Sequence, residues 1–161
     1  MALYHKSTTT YTDRTVDLLL LQFVRSPVAD AEVKPDVSVS PRIVTGIEKL
    51  VQRYAQLFLT QVGTVVNAET QGTGFMSALG TGHIYDLGTL TSYASAANKD
   101  VQTQIIVEDR ALDTPDDEAL ANSEVIDLGM DRPTATVTVT VKLTTKAGDT
   151  YVYVTPIAMG L

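Results

Sequence analysis

From residue 43 onward, apolar side chains recur at intervals of three and four: Ile43, Ile47, Leu50, Val51, Tyr54, Leu57 and Phe58. Arg42, Glu48, Lys49, Gln52, Arg53 and Gln56 fall between them, which predicts an amphipathic helix with one buried face. Ser40 is placed to cap it and Pro41 to take its first position, and the helix is expected to end between Thr60 and Gly63. A second helix is predicted over Leu90 to Asp109, with Leu90, Tyr93, Ala94, Ala97, Val101 and Ile105 on its buried stripe. Between the two, five glycines from Gly72 to Gly88 mark a loop region around one helical turn at Phe75 to Leu79. The β-branched run Thr64 to Asn67 reads as a short strand.

Further along, the helical period gives way to alternation. Thr114 to Glu118 carries a capping threonine followed by acids, the pattern of a short helix start. Glu124 to Leu128 is a candidate strand. Thr134 to Thr145 then alternates, with Ala135, Val137, Val139, Val141 and Leu143 on one face and threonine on most of the other. A turn over Lys146, Ala147, Gly148 and Asp149 predicts a hairpin with Asp149 to Pro156. Pairing Thr145 with Thr150 sets Leu143 opposite Val152 and Val141 opposite Val154, with Tyr151 and Tyr153 on the opposite face.

Residues 1–40 differ, carrying isolated apolar clusters separated by Thr, Asp and Pro. They read as an extended arm, with one strand in Arg14 to Val24 and a stretch broken by Pro27, Pro35 and Pro41 in which Val33, Val37 and Val39 alternate. The expected organisation is this arm over 1–40 and an α+β domain over 41–161, in which a small mixed sheet with a C-terminal β-hairpin packs on two main helices.

Composition narrows the function. A chain of 161 residues can bury one core unaided. With 19 acidic and 12 basic side chains, the net charge of −7 repels phosphate backbones and anionic lipid, so neither nucleic acid nor a membrane is an expected partner. The absence of cysteine excludes disulfides and thiolate chemistry. The apolar run Leu18 to Leu21 is far too short for a bilayer, and Asp13 and Asp17 interrupt any signal-peptide pattern, so synthesis and action inside the producing cell are expected.

Catalytic candidates are sparse. Ser77, His83 and Asp86 supply the residue types of a triad without a nucleophile elbow, and His83 reads as a loop residue with an ordinary hydrogen bond. Asp113, Asp116, Asp117 and Glu118 could ligate a hard cation, but they lack EF-hand spacing and read as a cap and a solvated face. Glu69 with Asp86 shows no sign of a sugar cleft, and the two Gly-Thr-Gly pieces lack the Lys-Ser/Thr of a phosphate loop. What remains is material for strand addition between chains: a long threonine-faced strand and an arm. Alternation alone does not separate that from a sheet closed within one chain.

The element order, with Leu59-Thr60-x-x-Gly63 closing an amphipathic helix, Gly72 in the following loop, a second helix and late valine strands, resembles the sheath-initiator family of contractile phage tails. The likeness covers roughly residues 43 to 157. Thr64-Val65 stands where members commonly carry Glu-Arg, and Asp131-Arg132-Pro133 where they often carry Glu-Pro-Arg. The resemblance implies a fold similar to the sheath assembly (handshake) domain, no enzymatic activity and no cofactor or metal. It further implies a baseplate protein of the virion, with six copies ringing the tail tube among the wedge proteins and templating the first tail sheath subunits by strand pairing. Val137, Val139, Val141, Leu143, Val152 and Val154 would form the packed face of the templating hairpin. A tail-tube or head-tail completion subunit is the alternative, and a cell-wall hydrolase a more distant one.

Overall fold

The computed structural model describes residues 17–18, 21–35 and 43–159. In chain order these form β1 (Asp17–Leu18), β2 (Leu21–Val24), β3 (Ala31–Pro35), β4 (Ile43–Val44), α1 (Gly46–Leu59), α2 (Phe75–Gly80), α3 (Leu87–Leu112), β5 (Leu120–Asp131), β6 (Thr136–Thr145) and β7 (Thr150–Ala158). A five-stranded sheet has the order β2-β3-β7-β6-β5, antiparallel except where β3 runs parallel to β7, and β1 pairs separately with β4. The protein is therefore α+β with a mixed sheet, and its helices share one face of it. Leu50, Tyr54 and Phe58 of α1, Phe75 of α2 and Ala94, Val101 and Ile105 of α3 form one core with Val137, Val139, Val141 and Leu143 of β6.

Both main helices follow the predicted stripes, except that Tyr93 is exposed rather than buried, but they start elsewhere. α1 begins at Gly46 rather than near Ile43, because Ile43 and Val44 pair as a strand with Leu18 and Asp17. Ser40 and Pro41 lie outside the described residues. Thr45, at the N-cap position, makes no side-chain cap, and the carboxylate of Glu118 replaces it by accepting from the Gly46 N–H (3.1 Å). α3 starts at Leu87, earlier than Leu90, because Asp86 and Thr89 cap it reciprocally: Asp86 Oδ1 accepts from the Thr89 N–H (2.7 Å) and Thr89 Oγ1 from the Asp86 N–H (3.1 Å).

Three short predicted elements differ. Thr64 to Asn67 forms turns, with Asn67 at φ 66, a backbone no strand residue adopts. Residues 114–118 form turns ahead of β5 instead of opening a helix. The strand expected within Arg14 to Val24 is divided, β1 pairing with β4 and β2 with β3. The hairpin β2–β3 also joins the sheet, burying Ala31 and Val33, so residues 21–35 share the core of the domain. Val37 and Val39 lie outside the described residues.

The C-terminal hairpin forms, one residue out of the expected register. Thr144 pairs with Thr150, which sets Leu143 opposite Tyr151 and Val141 opposite Tyr153, and turns Val152 and Val154 to the other face opposite Lys142 and Thr140. Two forces choose this register. The connection spans 145–149, closed by the Thr145 N–H donating to the Asp149 carbonyl (2.9 Å) and the Gly148 N–H to the Thr145 carbonyl (3.0 Å), with Gly148 at φ 90. The register also brings the tyrosines inward: Tyr153 is 2% exposed and meets Tyr54 edge-on at 6.2 Å between ring centroids. An aromatic ring buries more apolar surface than a valine, so the two tyrosines outweigh the two valines.

Candidate assembly surface

The hairpin occupies the middle of the sheet. β6 lies between β5 and β7, and β7 between β6 and β3, so β5 engages the outer edge of β6 along its length and β3 that of β7 at Tyr153 and Val154. Val137, Val139, Val141 and Leu143 are buried against the helices as expected, whereas Val152 and Val154 point to the opposite face. At Val152, the N–H donates to Asp30 Oδ2 (2.8 Å) and the carbonyl accepts from the Asp30 N–H (2.8 Å), an aspartate closing the ladder beside β3. Among the described residues, the outer strands of the five-stranded sheet are β2 and β5, each paired on one side.

The residues that carry the family resemblance are drawn together where α1 ends. Thr60 terminates the helix, its hydroxyl donating to the Gln56 carbonyl (2.7 Å). Its own carbonyl accepts from the Thr73 N–H (2.8 Å), and the Val62 N–H donates to the Thr73 carbonyl (3.1 Å), forming an isolated parallel bridge between Gln61 and Thr73. Gly72 is buried at φ 98, and a Cβ there would collide with the Thr60 carbonyl. Gln104 of α3 clamps it from the other side, donating Nε2 to the Gly72 carbonyl (2.8 Å) and accepting the Gly72 N–H at Oε1 (3.0 Å). Gly63, at φ 85, turns the chain with its N–H on the Glu69 carbonyl (3.0 Å), while half-buried Leu59 packs on the core.

Sequence reasoning missed the buried charges. Glu118, read as part of a solvated acidic face, is fully buried, accepting from the Gly46 N–H and pairing with Lys49 Nζ (3.3 Å). A carboxylate at the N-terminus of α1 also complements the helix dipole. Asp109, 2% exposed, receives Arg53 Nη1 (2.9 Å) and the Leu120 N–H (2.8 Å), tying α1, α3 and the start of β5 together. Burial opposes the Arg53 charge, but Asp109 and Glu108 outweigh it and hold the guanidinium above its ordinary pKa. The signal for Asp109 was present in the sequence: it continues the stripe Ala97, Val101 and Ile105 by one further turn. Beside these pairs lies an open groove of about 670 Å³, lined by Lys49, Leu57, Thr60, Val65, Glu108 and Leu112.

The catalytic candidates are each engaged locally. His83 Nδ1 hydrogen-bonds the Thr81 hydroxyl (2.9 Å), Asp86 caps α3, and the Ser77 carbonyl accepts from the Thr81 N–H (2.9 Å). The Thr89 N–H on Asp86 also lowers that carboxyl's pKa. Asp113 ends α3 in the left-handed region, Glu118 points inward, and among the described residues no three His, Asp or Glu side chains converge to hold a metal. Glu69 and Asp86 are both exposed. No described helix is long and apolar enough to cross a membrane.

The architecture defines an α+β domain whose mixed sheet carries helices on one face and, among the described residues, is bounded by β2 and β5. No known family model, no curated protein and no solved structure matches the chain.

Proposed function

We propose that the protein is a structural baseplate component of a contractile phage tail, an initiator that rings the tail tube and templates the first sheath subunits by strand pairing between chains. The observation that carries this reading is the packing of Thr60 on Gly72: the residues on which the sheath-initiator resemblance rests are held in contact by backbone hydrogen bonds and clamped by Gln104. A motif whose spacing is tied to a steric requirement is a sounder link than a coincidence of residue types. The mixed sheet with helices on one face is also compatible with a handshake-like domain, and an open edge offers the main-chain groups that strand addition requires. The partners are the tail sheath, the tail tube and the baseplate wedge proteins, with six copies in the assembled ring.

The test is to tag the chain in its native producing cells, isolate the particles that contain it, count it by quantitative mass spectrometry and image the tag by electron microscopy. Label at one end of a contractile tail, at about six copies per particle, is the expected outcome. Label along the tube, in the head or on no particle overturns the proposal.

A further inference from the structure

We propose that the outer edge of β5 is the strand acceptor, and that its partner is an extended segment of another protein alternating apolar with basic side chains; this rests on the strand-pairing function above. Among the described residues, β6 is paired on both sides, β7 is met by β3 at Tyr153 and Val154, and of the two outer strands β2 offers 4 residues and β5 offers 12. Beside that edge, a groove of about 290 Å³ runs between β5 and α3, lined by Leu87, Thr91, Val125, Ile126, Asp127 and Leu128. Leu87 is 54% exposed and Ile126 47%. A strand added about 4.8 Å away would set every second side chain above this groove.

The opposite face of β5 decides which strands are admitted. Glu124, Asp127 and Asp131 are exposed there, and the cross-strand neighbours of Asp127 and Asp131 are Thr140 and Thr136, so only Glu124 faces a cation, Lys142. A second copy adding its own β5 would bring these acids against one another, which disfavours self-pairing. The register shift between Val125 and Asp127 further disrupts a regular edge ladder. Such devices blunt edges against indiscriminate pairing. Here the same acids attract a strand with Lys or Arg on that face, so repulsion of like strands and attraction of the partner come from one set of charges.

The probe is a ten-residue peptide alternating valine and lysine, compared with a valine–glutamate peptide and a valine–lysine peptide carrying a central proline. Each peptide carries one terminal fluorophore, so binding is measured to the full chain with the groove unaltered. Binding is read by the fluorophore, and placement by hydrogen exchange on the unlabelled chain. The expected result is binding of the valine–lysine peptide alone, slowed exchange of β5 amides, and at least tenfold weaker binding to the folded Asp127→Lys/Asp131→Lys variant. Equal binding of the proline peptide, protection of β2 instead of β5, or no loss on charge reversal overturns the assignment. Those outcomes leave the tail location, which is read by microscopy, untouched.

Discussion

β6 and β5 lie side by side in one sheet, yet β6 is legible in the sequence over its whole length and β5 only over Glu124 to Leu128. β6 is paired on both sides, so its ladder stays regular and its valines face the core at every second position. Among the described residues β5 is paired on one side, and it tolerates two register shifts, between Leu120 and Asn122 and between Val125 and Asp127. Its inward residues are Leu120, Ser123, Val125, Leu128 and Met130, a series no simple alternation produces. A strand with two neighbours is held to the period of the sheet, while an edge strand is free to bulge and to carry charge.

The sharpest way to break this comparison is to place one charge in each strand. Val139→Asp in β6 buries a carboxylate at a position 1% exposed and is expected to cost more than about 4 kcal/mol, abolishing cooperative unfolding followed by circular dichroism. Ile126→Asp in β5 is expected to stay within about 0.5 kcal/mol, as at other exposed sites. Similar losses in the two strands would erase the distinction.

Next in size is the hairpin register. Tyr153→Ala is expected to cost about 3–5 kcal/mol, the range for large aromatic truncation, and Val154→Ala about 1–2 kcal/mol for two lost methyl groups. Chemical denaturation of both variants measures the order, and a greater loss at Val154 would restore the register in which the valines face inward.

The glycines of the family-like motif give a smaller contrast. Gly72→Ala combines a positive φ with a collision against the Thr60 carbonyl and is expected to cost about 3 kcal/mol, whereas Gly63→Ala meets open space and carries only the backbone penalty of about 1 kcal/mol. Thermal melts that rank the two equally would remove the steric basis of the 60–72 contact.

The mildest expected effect is alkaline. Burial raises the pKa of Tyr54 and Tyr153, and burial together with the charges of Glu48 and Asp30 pushes Tyr151 up to about 12. In each case the folded value lies above the unfolded one of about 10, so the folded chain binds protons more tightly. This contribution is complete below about pH 10 and lost as pH rises through the folded values. Melting temperature should therefore begin to fall above about pH 10, with tyrosinate absorbance from these residues appearing together with unfolding. Ionisation of all seven tyrosines in a still-folded chain at about pH 10 would contradict the inward register.

Periodicity made much of the fold legible. The stripes Leu50, Val51, Tyr54 and Phe58, and Leu90, Ala94, Ala97, Val101 and Ile105, are the observed buried faces, because a helix repeats its geometry every turn whatever it packs against. The alternation of Val137, Val139, Val141 and Leu143 located β6 for the same reason. Residues from Gly72 to Gly88 were read as loop around one helical turn, and α2 is that turn, but the clamp from Gln104 onto Gly72 joins positions 32 residues apart and left no local trace.

The sequence by itself determined the helix stripes, the central strand and the existence of its hairpin partner, all of which follow from local period and turn chemistry. Tertiary structure decided the rest. Glu118 caps a helix that begins 72 residues earlier, Tyr153 selects the register by meeting Tyr54, and β3 closes the edge of β7 through Asp30. Each depends on which distant surface the chain folds against, because burial and hydrogen-bond satisfaction act between surfaces in space, while sequence pattern records only neighbours along the chain.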